Sequence, residues 1–413
     1  MRRALIITAS ALLLIGIGVG IYFFFFTNSP SLSVNTGVQL PTSGNDSGTG
    51  GGATPTVQEL GVPSPGAGTE VAPRLIRITD RPVALGVSAV FLPGVRAPKV
   101  GTSTTQTGYL EDPDVKVSYI ERESGNIYTY RAHVRTLTRL TNKTLPGVVE
   151  ASWVSDGSLA FVRFVSMVDT TEQLQTYALP AQSGEGYFLE QNLAQVFTTG
   201  SSTLVTLLAT TNGSTATISN ASGANPRTLF TSRLSAITLQ TGGGSYVATT
   251  KASAGADGYA FQVDKAGTFT RVLGALPGLS TRVSPSGKFL LYSFVERGTL
   301  VLAVLDMSTH TATRLPLSTL ADKCTWSLDS STVFCGVPTA MKGTFPDDWY
   351  QGVVSFTDRL WKIDMSQRVA SMLIDPSQAG DVAIDAVSLT VDSTSDVLFF
   401  TNKQGGALYA YDL

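Results

Sequence analysis

Side chains able to do chemistry are few in this chain, and the densest group lies between Val337 and Phe356. That stretch holds Phe345, Asp347, Asp348, Trp349, Tyr350 and Gln351 almost side by side. Aromatic rings offer flat contact area, and neighbouring carboxylates add hydrogen bonds or cation contacts, so the run suits recognition of a ligand or partner. A structural reading competes: Trp349 and Tyr350 pack as a plug and Asp347 caps a turn. The familiar catalytic patterns are missing. His133 and His310 are the only histidines, and there is no HExxH, no CxxC and no histidine cluster, which argues against zinc. No G-x-S-x-G elbow or Walker-type loop occurs. No cofactor, metal or catalytic residue is expected. Cys324 and Cys335 are the only cysteines, and they flank a hairpin signal at Asp329–Ser330. Counting outward from that turn sets them opposite each other, within disulfide range. The alternative is two buried thiols facing one neighbour.

The elements that must position these residues announce themselves by repetition. Strand-like runs end in or near Asp, a short turn follows, and then Thr-Arg-Leu or a variant of it. Tyr259–Asp264 precedes "FTRVL", Leu302–Met307 precedes "ATRLP", Leu360–Met365 precedes "ASMLI", and Ile127–Ala132 precedes "LTRLT". Hairpin signals come between copies: "VSDGS" at Val154, "VSPSGK" at Val283, "SLDSS" at Ser327 and "TVDST" at Thr390. Several short strands at a fixed period predict an all-β propeller. The run Ala407–Leu413 matches a third strand with no fourth after it, whereas Arg74–Thr79 matches a fourth strand with no blade before it. The first strand is therefore expected to complete the last blade. Residues 73–413 then form seven blades of roughly 49 residues, six or eight being the alternatives. Blade one carries a long insertion, Pro93–Asp114, between its first two strands. The blades over Leu193–Leu276 are the least distinct.

This topology assigns a second set of chemical groups. The innermost strand of each blade enters from the face that carries the loops between second and third strands. Glu150, Asp322, Asp381 and Asp385 fall early in inner strands, with Arg282 and Lys323. They are expected to ring one mouth of the central channel, on the same face as the Phe345–Gln351 loop. Paired carboxylates there could bind a cation or act as acid and base on a sugar. Solvated or mutually paired channel residues are the plainer reading.

The hairpin "SPSGK", the Asp-ended third strand and the Arg-bearing fourth strand resemble TolB-type and WD-repeat-like propellers. The stretches "VSYIERESGNIYTY", "TRLTNKTLPGVVEASW", "FPDDWYQGVVSFTDRLWKID" and "LFFTNKQGGALYAYDL" are similar to a group of uncharacterised, membrane-anchored bacterial propeller proteins. The resemblance implies the fold. It implies no activity, because propellers host many functions.

The start of the chain points to a membrane. Ala4–Phe26 carries no charge and is long enough to cross about 30 Å of hydrocarbon. Arg2 and Arg3 precede it, which predicts a cytoplasmic N-terminus and an extracytoplasmic propeller on a single-pass cytoplasmic-membrane protein. A cleaved signal peptide is the rival, but the apolar run is too long and ends in Phe23–Phe26. Residues 1–26 are thus read as a cytoplasmic stub and anchor, and the Ser/Thr/Gly/Pro-rich residues 27–72 as a flexible tether. A net charge of −2 and the lack of a basic cluster argue against nucleic acid. The leading expectation is a non-catalytic binding or scaffolding propeller of the cell envelope, with a protein or glycan as partner. The alternative is a glycosidase-type hydrolase using channel-mouth carboxylates.

Overall fold

The computed structural model describes residues 57–59, 74–96, 109–168, 171–182, 184–200, 202–379 and 383–413. The expected anchor, and the expected tether apart from Val57–Glu59, lie outside these residues. Among the described residues no helix is long and apolar enough to cross a membrane.

The strands form seven antiparallel sheets, one per blade, and a short hairpin. Chain order within each blade runs from the innermost strand outward. Blade two is typical, with Val148–Trp153, Leu159–Val168, Thr171–Pro180 and Tyr187–Phe188. The last blade contains Ala386–Val391, Val397–Asn402 and Leu408–Asp412, and its fourth strand is Leu75–Arg77 from the other end of the described chain. Leu75 faces Tyr411, Ile76 faces Ala410 and Arg77 faces Tyr409. The ring is closed as the incomplete repeats require. The blade-one insertion holds the extra hairpin, Val95–Arg96 with Tyr109–Glu111.

The core lies between blades, not within them. Each pair of adjacent blades shares one apolar cluster. At the closure, Val397, Phe399 and Leu408 of blade seven pack with Val115, Val117 and Tyr130 of blade one. Second strands are therefore covered on both faces. Val397–Asn402 is buried at every position, which is why it reads as a continuous apolar run instead of an alternation.

The Asp at the end of third strands has a local job. Asp306 Oδ1 accepts the backbone N–H groups of Ser308 and Thr309 and the Ser308 hydroxyl. Asp364 does the same with Ser366 and Gln367. The carboxylate satisfies the donors that a tight turn would leave unpaired, so the repeat needs Asp there. These bonds hold Asp306 down to about 2, below the usual carboxylate range.

One segment departs from the sequence reading. Val57–Glu59, inside the stretch expected to be a tether, forms a fifth strand on blade one, pairing with Thr136–Arg139. An outer edge strand offers unpaired backbone groups, and three residues of almost any composition can satisfy them. Composition therefore gave no sign of it.

Candidate functional site

The insertion of blade six runs between its second strand, Thr332–Pro338, and its third, Asp358–Asp364. It folds back as a single helical turn, Asp347–Tyr350. Its residues divide into those that fix it and those that face a cavity. Phe345 and Trp349 are buried, in a cluster with Leu300, Leu320, Phe356 and Val387. The Trp349 ring stacks on Phe356 at 6.1 Å. Asp347 Oδ2 accepts the Ala254 N–H at 2.6 Å and ties the insertion to blade four. Asp348 Oδ2 accepts the Thr344 N–H at 2.7 Å and closes its own turn. Gln351 is exposed.

Tyr350 is the group turned outward, at 42% exposure. Its phenol donates to Asp322 Oδ2, with Ser280 and Arg282 near. Burial, with the Asp322 charge second, raises its pKa, so the proton stays on the phenol. Arg282 Nη2 reaches the Asp322 carbonyl at 3.4 Å. Asp322 sits in the 3-10 turn Ala321–Lys323, just before the blade-six inner strand Cys324–Trp326. In that hairpin Cys324 faces Cys335, and the two Sγ atoms are bonded at 2.10 Å.

A cavity of about 840 Å³ opens over this surface. Trp349, Tyr350, Asp322 and Glu150 line it, joined by Arg122, Asn402 and Lys403 and by the apolar Val83, Leu85 and Val387. Glu150, on the blade-two inner strand, accepts from Arg163 Nη1 at its Oε2, 2.6 Å away. Lys403 donates to the Trp349 carbonyl, and its ammonium lies 4.2 Å from the centre of the Trp349 ring. Burial lowers its pKa. The Arg122 guanidinium makes no bond among the described residues.

The structure thus brings Glu150, Asp322, Trp349 and Tyr350 to one pocket. Arg282 stands behind Asp322, while Phe345, Asp347 and Asp348 serve the loop's own architecture. Asp381 lies outside the described residues. Asp385 and Lys323 need a correction: both are fully buried, not part of an open mouth. The two are ion-paired with each other. For Asp385 the cover is the insertion. Its carboxylate accepts the Trp349 indole N–H at 3.0 and 3.2 Å and the Phe356 N–H at 3.0 Å. The depth of Asp385 depends on that packing. Arg122 and Lys403 were not singled out from the sequence. Both lie in turns between second and third strands, in "RESGN" and "NKQGG". The face rule applied to blade six would have found them if applied to every blade.

No family model matches the chain, and no curated protein matches it by sequence. Solved structures do match by shape. An oligogalacturonate lyase from Vibrio parahaemolyticus is 10% identical, with 87% of this chain and 97% of that one covered and a TM-score of 0.51. TolB from Acinetobacter baumannii is 11% identical, with 62% of each chain covered and a TM-score of 0.42. The propeller domain of the Trilobed protease from Pyrococcus furiosus is 10% identical, covering 64% and 81%, with a TM-score of 0.46. At these identities the likeness is one of fold. The chain is a seven-bladed β-propeller, the fold it shares with the lyase.

Proposed function

We propose that the propeller binds a saccharide-type ligand of the cell envelope in its channel-mouth pocket. The observation that carries this is the convergence of Glu150, Asp322 and Tyr350 on one cavity of about 840 Å³ with Arg122, Asn402 and Lys403 around it. Carboxylates, an amide and cations surround hydroxyl groups with acceptors and donors, and a half-exposed phenol ring beside Leu85 and Val387 offers an apolar patch to a ring face. A protein of the same fold is named an oligogalacturonate lyase, which supports a saccharide as the ligand. The expected anchor, Ala4–Phe26 behind Arg2 and Arg3, would keep this pocket outside the cytoplasmic membrane, where such polymers lie.

Turnover is the second reading, because two carboxylates share the pocket. Hydrolysis of a glycosidic bond needs one carboxyl to protonate the leaving oxygen and another to act as base or nucleophile. Here each carboxylate already spends an oxygen, Glu150 on Arg163 and Asp322 on Tyr350. That arrangement favours holding a ligand over cleaving it. Calorimetric titration of the protein with neutral and acidic oligosaccharides tests the binding. Asp322→Ala and Tyr350→Phe should each weaken it about tenfold, the loss of one good polar contact. No heat with any sugar overturns the proposal. New reducing ends, lost in Glu150→Gln, would favour turnover.

A further inference from the structure

Beneath the pocket wall, Lys323, Asp358 and Asp385 are each fully buried. They come from three places: the turn before the blade-six inner strand, the head of the blade-six third strand, and the residue before the blade-seven inner strand. The Lys323 ammonium lies 2.8 Å from Asp358 Oδ2, touches Asp385 Oδ1 and donates to the Ala386 carbonyl at 3.0 Å. One buried cation therefore serves two buried carboxylates. Asp385 is well supplied, with the Trp349 indole and the Phe356 N–H as donors. Asp358 is not: Oδ2 accepts the Ala386 N–H at 2.7 Å, but Oδ1 is buried with no hydrogen-bond partner among the described residues. A carboxylate oxygen in that state is costly, and surplus buried charge more so.

Other charged groups surround the cluster. Lys403 packs on the Trp349 ring and donates to the Trp349 carbonyl, close enough to feel the charges of Asp385 and Lys323. Asp322 accepts from Tyr350, and Arg359 is turned toward Asp375 at 2.7 Å. The Lys323 ammonium also faces the rings of Trp349 and Phe356, at 4.9 and 5.3 Å from their centres. The pocket wall is thus bonded directly to the buried ions.

We propose that Lys323, Asp358 and Asp385 form a proton-operated latch that holds the Trp349 wall of the channel-mouth pocket in place. With a proton from solvent on Asp358, one ammonium balances one carboxylate, and Asp385 keeps its bonds to Trp349 and Phe356. When that proton leaves, the three buried groups carry a net negative charge, which is relieved if the Trp349 segment lifts and admits water. Burial, against the pull of Lys323, pushes Asp358 up to about 6 from its ordinary 3.8. The latched state therefore holds more protons than the open one between those values. It is favoured in acid and loosens as pH rises through about 6. The inference does not depend on what the pocket binds.

Hydrogen exchange in the full chain, in detergent micelles, tests it. The readout is the protection of the Trp349 indole and of the Trp349–Gln351 amides, corrected for intrinsic exchange, against the strand Leu302–Leu305 as reference. If opening restores an ordinary carboxylate, the opening constant of this segment should rise about 25-fold between about pH 4.5 and 7.5. Asp358→Asn keeps one oxygen for Lys323 and Ala386 and removes the charge, so its profile should be flat and protected. A flat wild-type profile overturns the latch, whether or not the variant folds. A parallel rise in wild type and Asp358→Asn overturns it as well. Failure of sugar binding leaves this result untouched, and the reverse holds too.

Discussion

At the scale of single residues, the aromatic-acidic run of blade six divides its work. Trp349 is a buried strut: it stacks on Phe356, donates to Asp385 and carries Lys403 on its carbonyl and its ring face. Truncating it leaves a cavity and strips Asp385 of a donor. Trp349→Ala should therefore cost about 3–5 kcal/mol of stability, seen as a lower denaturation midpoint. Tyr350, half exposed and one residue away, should behave differently: Tyr350→Phe keeps the ring and loses only the Asp322 bond, about 1–2 kcal/mol at most. Equal losses in the two variants would contradict this division. The sequence showed the aromatic and acidic types but not their roles. Which of two adjacent rings points inward depends on how a single helical turn seats against blade seven.

At the scale of elements, the propeller rests on one strand contributed from far away. Leu75–Arg77 pairs with Leu408–Asp412, and Arg74 adds a bond to the Asp412 carbonyl at 3.0 Å and a contact over the Tyr411 ring at 5.0 Å. Deleting Arg74–Thr79 would uncover the long edge of blade seven and open the blade seven–blade one cluster. The expected outcome is a loss of several kcal/mol and concentration-dependent aggregation, read by chemical denaturation and light scattering. A deletion that melts like the parent would contradict closure by this strand. The turns carry a smaller pH signature of their own. Hydrogen bonds from Ser308 and Thr309 lower Asp306, and those from Ser366 and Gln367 lower Asp364. Their contribution is present above about pH 4, the ordinary carboxylate range, and is lost as pH falls through the lowered values. Its sign opposes that of Asp358, whose cost appears as pH rises.

At the scale of the whole molecule, two cavities differ in kind. One has Glu150, Asp322, Arg122 and Lys403 around about 840 Å³. The other, about 500 Å³, is lined by Trp153, Trp326, Leu328, other apolar side chains and Ser and Thr hydroxyls, with no charged residue. The proposed ligand, which needs polar contacts, is therefore assigned to the first cavity. The proposed topology sets that cavity outside the cytoplasmic membrane. Protease added to intact spheroplasts should cut the propeller free. Complete protection, with cleavage only after lysis, would contradict an extracytoplasmic propeller.

Sequence alone determined the repeat, the class of fold, the closure and the Cys324–Cys335 register. Each of these follows from interactions that recur or lie close along the chain. A turn at Asp329–Ser330 with a period of two places two cysteines opposite each other, and Asp264, Asp306, Asp364 and Asp412 mark the ends of the third strands of blades four to seven. Only the tertiary structure decided the candidate site. Lys323 meets Asp385 across 62 residues of sequence, and Trp349 meets it across 36. Whether Asp385 ends in water or beneath an insertion is set by packing between blades. Asp358, which the strand pattern presents as one more acid at a strand end, is buried because Gly336 leaves room for its carboxylate, 2.9 Å from where a side chain would begin. Periodic patterns encode what every blade shares. The pocket is built from what differs between blades, and those differences acquire meaning only when the ring brings them together.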